Sequence, residues 1–318
     1  MLTSSPLPLV LDLDGTLIRT DTFHEMMVCL LITKPWRLFL LPFWLLKGRP
    51  YAKARLAQQT DLSPTHLPYN ISLLTFIKTE VQKGRPLILA TGTNQKVAQR
   101  IATHLGFFQE VIGSDDNTNM TGLFKRQALL KKLEPLGFDY AGDSKVDSYI
   151  WQVAHKAIVV HPKAGVLKRA LTLRGAELTH VFPREKARFW ALLQTFRPQF
   201  WLLNLLVPSW PLFFALSFLS SGLFIGDDLV MLSHERKGLA HQSMFAKGHL
   251  HLITAFALAP LLILPSVAFL TFSSGVFLTL AYVLLFIGVD RATRSQSRET
   301  RGLLLGLLQL LAAWTFSK

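Results

Sequence analysis

Past Pro183 the chain has three stretches without a single Asp, Glu, Lys or Arg: Pro198 to Gly226, His251 to Val289 and Gly302 to Ser317, of 29, 39 and 16 residues. Nothing constrains the fold more. A helix needs about 20 apolar residues to cross the hydrocarbon core of a bilayer, so the first stretch suffices for one crossing or a re-entrant hairpin. The second suffices for two short helices turning near Thr271 to Ser274, and the third is marginal. Three or four hydrophobic segments are therefore expected in an all-α membrane region over 184–318. Composition agrees, since 50% of residues are hydrophobic, 17% are charged and the mean hydropathy is +0.32, too apolar for an ordinary soluble domain.

Charge narrows the partners and the topology. Lys and Arg number 34 against 20 Asp and Glu, a net charge of +14. Divided at Pro183, the excess is +8 before and +6 after, so no basic arm is gathered for nucleic acid and none is expected as a partner. A single crossing by the first stretch would put Arg236, Lys237 and Lys247 outside. A second pair of crossings would put Arg291, Arg294, Arg298 and Arg301 there too, against the cytoplasmic preference of Lys and Arg. A first segment that dips in and returns, or lies in the membrane plane, keeps both basic loops inside. The start "MLTSSPLPLVLDLDGTL" has no basic lead before its apolar run and does not read as a signal peptide. The expectation is a multi-pass membrane protein with its N-terminal part on the cytoplasmic side. Cys29 is the only cysteine, which excludes an intrachain disulfide and a cysteine zinc site.

Residues 1–183 have another texture. Apolar runs of four to six residues alternate with amphipathic stretches, as βα units around a parallel sheet require. Strands are expected at Leu7 to Leu11, Leu87 to Thr91, Phe138 to Ala141 and Ala157 to Val160. Between the first two lies an insertion, about 21–80, that includes "MMVCLLITKPWRLFLLPFWLLKGRPYAKARLAQQ". It holds Lys34, Arg37, Lys47, Arg49, Lys53 and Arg55 and no acid between Met26 and Thr60. This reads as a helical lid. Its Trp, Phe and Leu with flanking cations suit a helix lying on an anionic bilayer, and suit a plain hydrophobic core equally well.

The chemistry is concentrated in "VLDLDGTL", where a hydrophobic strand ends at Asp12 and runs on through Asp14, Gly15 and Thr16. Two carboxylates two residues apart, with glycine permitting a tight turn, can set a nucleophile and an acid/base around one phosphorus atom. The segment "LILATGT" puts Thr91 at the end of a second strand, Lys125 follows, and "FDYAGDSKVD" puts Asp143 and Asp147 after a third. Ligands gather at the carboxyl ends of strands in an open parallel sheet, so these residues can meet.

Together these motifs resemble the haloacid dehalogenase (HAD) superfamily over roughly the first 180 residues. The resemblance implies an α/β Rossmann-like core with a helical cap and phosphatase or phosphotransferase activity. It casts Asp12 as the nucleophile that forms an aspartyl-phosphate and Asp14 as the acid that protonates the leaving group and then activates water. Thr91 would hydrogen-bond the transferring phosphoryl group and Lys125 would neutralise its charge. Mg²⁺ would be held by Asp12, the Asp14 backbone carbonyl and Asp143, with Asp147 in support, because clustered carboxylates and a phosphate otherwise repel one another.

The runs "FRPQFWLLNLLVPSWPLFF" and "GDDLVMLSHERKGLAHQSMFAKGHL" resemble the start of a UbiA-type prenyltransferase, in the branch that transfers phosphoribose to polyprenyl phosphate. That family has an Asn-Asp-x-x-Asp type motif and a basic loop where this chain has Gly226, Asp227, Asp228, His234, Glu235, Arg236 and Lys237. Prenyl transfer needs two acidic clusters to hold Mg²⁺ on a diphosphate. The second is absent, because Asp290 is the only acid between His251 and Arg298. Asp227 and Asp228 are expected in a capped, solvated loop at a membrane end, with metal or lipid-phosphate binding as the alternative.

The reading is a membrane-bound, Mg²⁺-dependent phosphohydrolase acting on a phosphomonoester, lipid- or polyprenyl-linked, with membrane lipids as its surroundings. Two others stay open: a UbiA-type prenyl or phosphoribosyl transferase with an accessory HAD domain, and a non-catalytic membrane scaffold. Oligomeric state is not legible in the sequence.

Overall fold

The computed structural model describes residues 6–162, 165–172, 176–183, 188–206, 209–237, 243–274, 276–292, 304–308, 311–312 and 315. Contacts divide the chain into two compact units, Met1–Lys186 and Ala187–Lys318.

The first unit opens with β1 (Leu9–Leu11), α1 (Thr22–Thr33), α2 (Leu41–Leu46), α3 (Arg49–Gln59) and α4 (Ile71–Gln82). It continues with β2 (Leu87–Asn94), α5 (Gln95–Leu105), β3 (Glu110–Ser114), α6 (Leu123–Leu133) and β4 (Asp139–Gly142). It closes with α7 (Ser148–Trp151), β5 (Lys156–Val160), α8 (Val166–Thr172) and β6 (Glu177–Phe182). The six strands form one parallel sheet in the order β3-β2-β1-β4-β5-β6. This is a Rossmann-like α/β core.

The strand pleat accounts for the apolar runs. Leu9 and Leu11 join Leu87, Leu89, Ile158 and Val160 on one face, where Ile77 of α4 and Val97 and Ile101 of α5 cover them. Val10, Ile88, Ala90, Tyr140, Ala157 and Val159 line the other, beneath Leu129 and Leu133 of α6 and Ile150 and Trp151 of α7. Strands buried on both faces need no polar alternation, so "LVL" and "LILA" read as unbroken hydrophobic segments. The edge strands β3 and β6 escape that reading. β3 is mostly half-buried and contains Glu110 and Gly113, while Glu177, His180 and Val181 of β6 are exposed.

Register places the site. Leu11 lies level with Leu89 of β2 and Ala141 of β4. Asp12, Thr91 and Asp143 therefore emerge within two residues of one level, at the carboxyl edge of three adjacent strands. The strand order reverses between β1 and β4, the switch point at which open α/β sheets leave a crevice.

Between β1 and β2 the insertion is mainly helical, with 3₁₀ turns at Pro35–Leu40 and Pro64–His66 between α1 and α4. Asp21 starts α1 by accepting from the Phe23 amide at 2.8 Å. Ile18 and Tyr69 close the base of the insertion in an isolated antiparallel bridge. Asn70 then caps α4, which carries Leu73 and Ile77 into the same core as Leu9.

The second unit is helical: α9 (Arg188–Phe196), α10 (Trp210–Val230), α11 (Leu232–Arg236), α12 (Leu252–Ser274) and α13 (Val276–Ala292). The first charge-free stretch folds back on itself, for Arg197 just before it pairs with Asp228 just past its end, and Phe200 packs on Phe224. Residues 198–206 wind as a 3₁₀ helix, and 210–230 form one unbroken α-helix. Polar groups tie the two together, with Asn204 Nδ2 donating to Ser217 Oγ and Trp201 Nε1 donating to Ser221 Oγ, each at 2.9 Å. Gly222 lets α12 approach, since a Cβ there would stand 2.7 Å from Ile263 Cγ1 and 3.2 Å from the Ala259 carbonyl. The second stretch breaks after Ser274, close to the expected turn, but its first helix is a long one of 23 residues. Trp210–Val230 and Leu252–Ser273 are long and apolar enough to cross a membrane by length and composition, and Phe277–Val289 is a shorter apolar helix. Within the third stretch residues 304–308 are helical. Arg294, Arg298, Arg301 and the side chains of Asp290 and Arg291 lie outside the described residues.

Candidate active site

At the end of β1 the Asp12 amide donates to the Ala141 carbonyl at 3.0 Å, a last rung that holds the Asp12 side chain beside β4. The Asp12 carboxylate is buried, and its Oδ1 accepts from Lys125 Nζ at 2.9 Å. Lys125, in the first turn of α6, also donates to the Tyr140 hydroxyl at 3.0 Å. That hydroxyl donates in turn to Asp147 Oδ1 at 2.8 Å. Asp147 Oδ2 accepts from the Asp143 amide at 3.2 Å, the Ser144 amide at 2.9 Å and Ser144 Oγ at 2.6 Å. Asp147 thus folds the loop after β4 back on itself and fixes the backbone that carries Asp143. Only glycine fits at 142, where a Cβ would lie 2.6 Å from Asp147 Cγ.

Asp12, Asp143 and Asp147 are all buried, and each offers an oxygen within 4.8 Å of the others. Gly15 keeps room for this set. Its φ of +80° is left-handed, and a Cβ there would lie 2.6 Å from Asp143 Oδ2. Asp14 has different company. Its Oδ1 accepts from the Thr22 amide at 2.8 Å, and its Oδ2 accepts from Thr93 Oγ1 at 2.8 Å and Thr22 Oγ1 at 3.2 Å. Asp14 is thereby suspended between the start of α1 and the end of β2. Thr91 is fully buried, and its Oγ1 accepts from the Thr93 amide at 3.1 Å.

Burial dominates the electrostatics. It raises the Asp12 carboxyl above its ordinary range, although the Lys125 ammonium pulls it back. Asp14 is pushed up to about 7 by burial and by the charge of Asp21, against the hydrogen bonds from Thr22 and Thr93. Burial also acts to lower Lys125, but the carboxylates of Asp12 and Asp147 outweigh it and leave the amine raised, hence cationic. Desolvation and the neighbouring Asp147 lift the Tyr140 hydroxyl well above its usual value, so it remains a donor.

The sequence of the first unit matches the profile of haloacid dehalogenase-like hydrolases over residues 9–182, more than half of the chain. The chain belongs to the haloacid dehalogenase-like hydrolase family. This chain is 36% identical over 203 residues to the uncharacterized protein y4nM of Sinorhizobium fredii, a region that covers 63% of this chain and 39% of that protein. It therefore spans about two fifths of the length of the curated relative it matches. Among solved structures it is similar to a protein with unknown function from Bordetella pertussis Tohama I, with 17% identity, a TM-score of 0.43, and 55% of this chain and 100% of that chain covered. It is also similar to a phosphoserine phosphatase in apo form, with 13% identity, a TM-score of 0.41, and 60% and 98% covered.

All six residues assigned to the hydrolase-like site from the sequence, Asp12, Asp14, Thr91, Lys125, Asp143 and Asp147, lie around the carboxyl edge of β1, β2 and β4. Three residues of the same network have no warning in the linear sequence: Tyr140, Thr22 and Thr93. Tyr140 sits two residues before Gly142 in a strand and reads there as core. Among the cap's cations, which the sequence leaves on the flanks of either a bilayer helix or a plain hydrophobic core, Lys53 stands apart. It turns inward from α3, where Nζ donates to the Gly92 carbonyl and to Asn119 Oδ1 at 3.2 Å. Desolvation lowers its affinity for a proton, against the carboxylates of Asp14, Asp21 and Asp12. Helical spacing was the available signal, for Lys53 stands three residues before the fully buried Leu56. Trp44 likewise packs against the core rather than facing out.

Asp227 and Asp228 do not sit in a solvated loop. They lie buried in the last turn of α10, which runs on to Val230. Asp228 pairs with Arg197, whose guanidinium lies 4.5 Å over the Phe224 ring. Pairing with Arg197 offsets the charge of Asp228 inside the apolar helix. Among the described residues, Asp12, Asp143 and Asp147 form the group of carboxylates spaced to hold a metal.

Proposed function

We propose that this hydrolase is a membrane-bound, Mg²⁺-dependent phosphatase that cleaves a phosphomonoester through an aspartyl-phosphate on Asp12. The observation that carries the reading is the junction of two differently tuned carboxylates: Asp12, ion-paired with Lys125, and Asp14, with a pKa of about 7. Asp12 attacks phosphorus, and the leaving alkoxide takes the proton of Asp14. A water molecule then returns a proton to Asp14 as its oxygen bonds phosphorus, and the bond to Asp12 breaks. A group titrating near neutral pH serves both steps. Lys125 and the Thr91 hydroxyl hold the phosphoryl oxygens as charge moves onto them.

The donor set suits Mg²⁺, which prefers hard oxygen ligands in a compact arrangement. Asp12, Asp143 and the Asp14 backbone carbonyl would hold it. Asp147 already accepts four hydrogen bonds, from Tyr140, Asp143 and Ser144, and so acts by orienting the loop. Held there, the ion would offset the charge of the carboxylates and of the equatorial phosphoryl oxygens.

We assign a hydrolase domain to 1–183, with its cap at about 21–80, and a membrane region to 184–318. Two helices of sufficient length and the apolar cap support a lipid- or polyprenyl-linked substrate met at the cytoplasmic face of a bilayer. The pairing of Asp228 with Arg197 speaks against the transferase alternative. The test is phosphate release by the detergent-purified full chain from soluble and lipid-linked phosphomonoesters, with and without Mg²⁺. Asp12→Asn should abolish release. Equal release by wild type and variant, or release indifferent to Mg²⁺, rejects the mechanism.

A further inference from the structure

The cap carries an apolar surface that catalysis does not use. Along the 3₁₀ turn Pro35–Leu40 and helix α2, Leu38, Leu41 and Trp44 face inward onto the core. On the other side Trp36, Phe39, Phe43 and Leu46 are 64%, 80%, 65% and 84% exposed. Their spacing of three, four and three residues is that of one continuous face, since a 3₁₀ turn stacks every third residue and an α-helix every third or fourth. A helix apolar all round is ordinarily buried. Here one side is buried and the other is open, and a contiguous exposed patch of this kind marks an interaction site.

Charge identifies the occupant. Lys34 and Arg37 stand at the start of the strip and Lys47 and Arg49 at its end, with no acid from Met26 to Thr60. Among the described residues none of these four cations pairs with a carboxylate. Lys34 donates to the Gln59 carbonyl at 3.2 Å, and Lys47 lies 5.3 Å from the centre of the Tyr51 ring. Aromatic and leucine side chains rimmed by unpaired cations match the boundary between acyl chains and anionic headgroups. A proline-punctuated segment this short cannot span the hydrocarbon core; it can lie in the plane.

We propose that Trp36, Phe39, Phe43 and Leu46 dock the cap onto an anionic lipid bilayer, with Lys34, Arg37, Lys47 and Arg49 on the headgroups. This second contact holds the catalytic unit against the membrane surface independently of any span made by α10 and α12. Because a chain tethered to a bilayer meets it at high effective concentration, a weak interfacial contact suffices.

The chain's single thiol makes the test clean. In a Cys29→Ser background, Phe39→Cys is labelled with an environment-sensitive fluorophore, and the full chain is reconstituted into phosphatidylcholine vesicles or into equimolar phosphatidylcholine and phosphatidylglycerol. In the mixed vesicles the emission should move to the blue and be quenched by spin-labelled lipid. Lys47→Glu with Arg49→Glu, two exposed positions, should cut that quenching about tenfold, as reversal of cations at an anionic surface requires. The same result is expected from a label at Leu46→Cys, which guards against a local distortion at 39. A label that stays in water in both vesicles overturns the proposal. So does a blue-shifted label that lipid quenchers do not reach, which means that protein covers the strip, and so does quenching that ignores phosphatidylglycerol. The readout needs no turnover, so its failure leaves the phosphatase reading standing, and the reverse holds.

Discussion

Replacing Tyr140 by Phe removes one oxygen atom from the centre of the site and leaves its volume nearly unchanged. That oxygen accepts from Lys125 Nζ at 3.0 Å and donates to Asp147 Oδ1 at 2.8 Å, and the residue is completely buried, so no bulk water replaces it. A hydrogen bond to a charged group contributes about 1.5–3 kcal/mol net. Two such bonds are lost, but Lys125 keeps Asp12 at 2.9 Å and Asp147 keeps its three bonds from the Asp143–Ser144 backbone and hydroxyl. The retained partners hold the cost near the low end, at about 3 kcal/mol for the pair, or roughly a 160-fold change in the opening equilibrium. Hydrogen–deuterium exchange of the amides from Asp139 to Trp151 reads this directly, and their protection should fall by about that factor. Phosphate release should fall with it, since Lys125 loses one of its two anchors. Combining Tyr140→Phe with Asp147→Asn should cost less than the sum of the single changes, because both remove the same contact. Wild-type protection and turnover in Tyr140→Phe, or strict additivity with Asp147→Asn, would refute the reasoning.

Three further outcomes follow from the same geometry. Asp21→Asn keeps an acceptor for the Phe23 amide but removes a charge that raises Asp14, so the proton on Asp14 is lost at lower pH and the alkaline limb of the kcat/KM profile should move toward acid; an unmoved limb speaks against Asp14 as the acid. Gly15→Ala sets a Cβ 2.6 Å from Asp143 Oδ2 at a left-handed φ of +80°, and Mg²⁺ affinity by titration calorimetry should fall roughly tenfold to a hundredfold; unchanged affinity removes Asp143 from the ligand set. Lys53→Met removes a cation held at Gly92 and Asn119 beside the carboxylates, and should raise KM for a phosphomonoester by about tenfold with a smaller change in kcat; a fall in kcat alone assigns Lys53 to the chemical step instead.

The candidate site was largely legible because it is written at strand ends. Asp12, Thr91 and Asp143 each follow a run of apolar residues, and such runs are forced into adjacent parallel strands when both sheet faces are covered. The order of the motifs along the chain is then enough to bring them to one edge. The edge strands Glu110–Ser114 and Glu177–Phe182 were not legible, because a strand half open to solvent has no need of an unbroken apolar run. The inward turn of Lys53 was masked for a related reason: six cations in one insertion look alike until the helix that carries each is docked.

By itself, then, the sequence determined the parallel α/β core, the meeting of its acidic residues and the apolar helical character of the second unit, since each follows from local periodicity and the length of a run. Tertiary structure alone decided which groups share which hydrogen bonds. It joined Tyr140 to Lys125 and Asp147, separated the partners of Asp14 from those of Asp12, drew Lys53 inward, and buried Asp228 against Arg197. Such pairings depend on distances between residues remote in the chain, and on desolvation that exists only once the elements have packed.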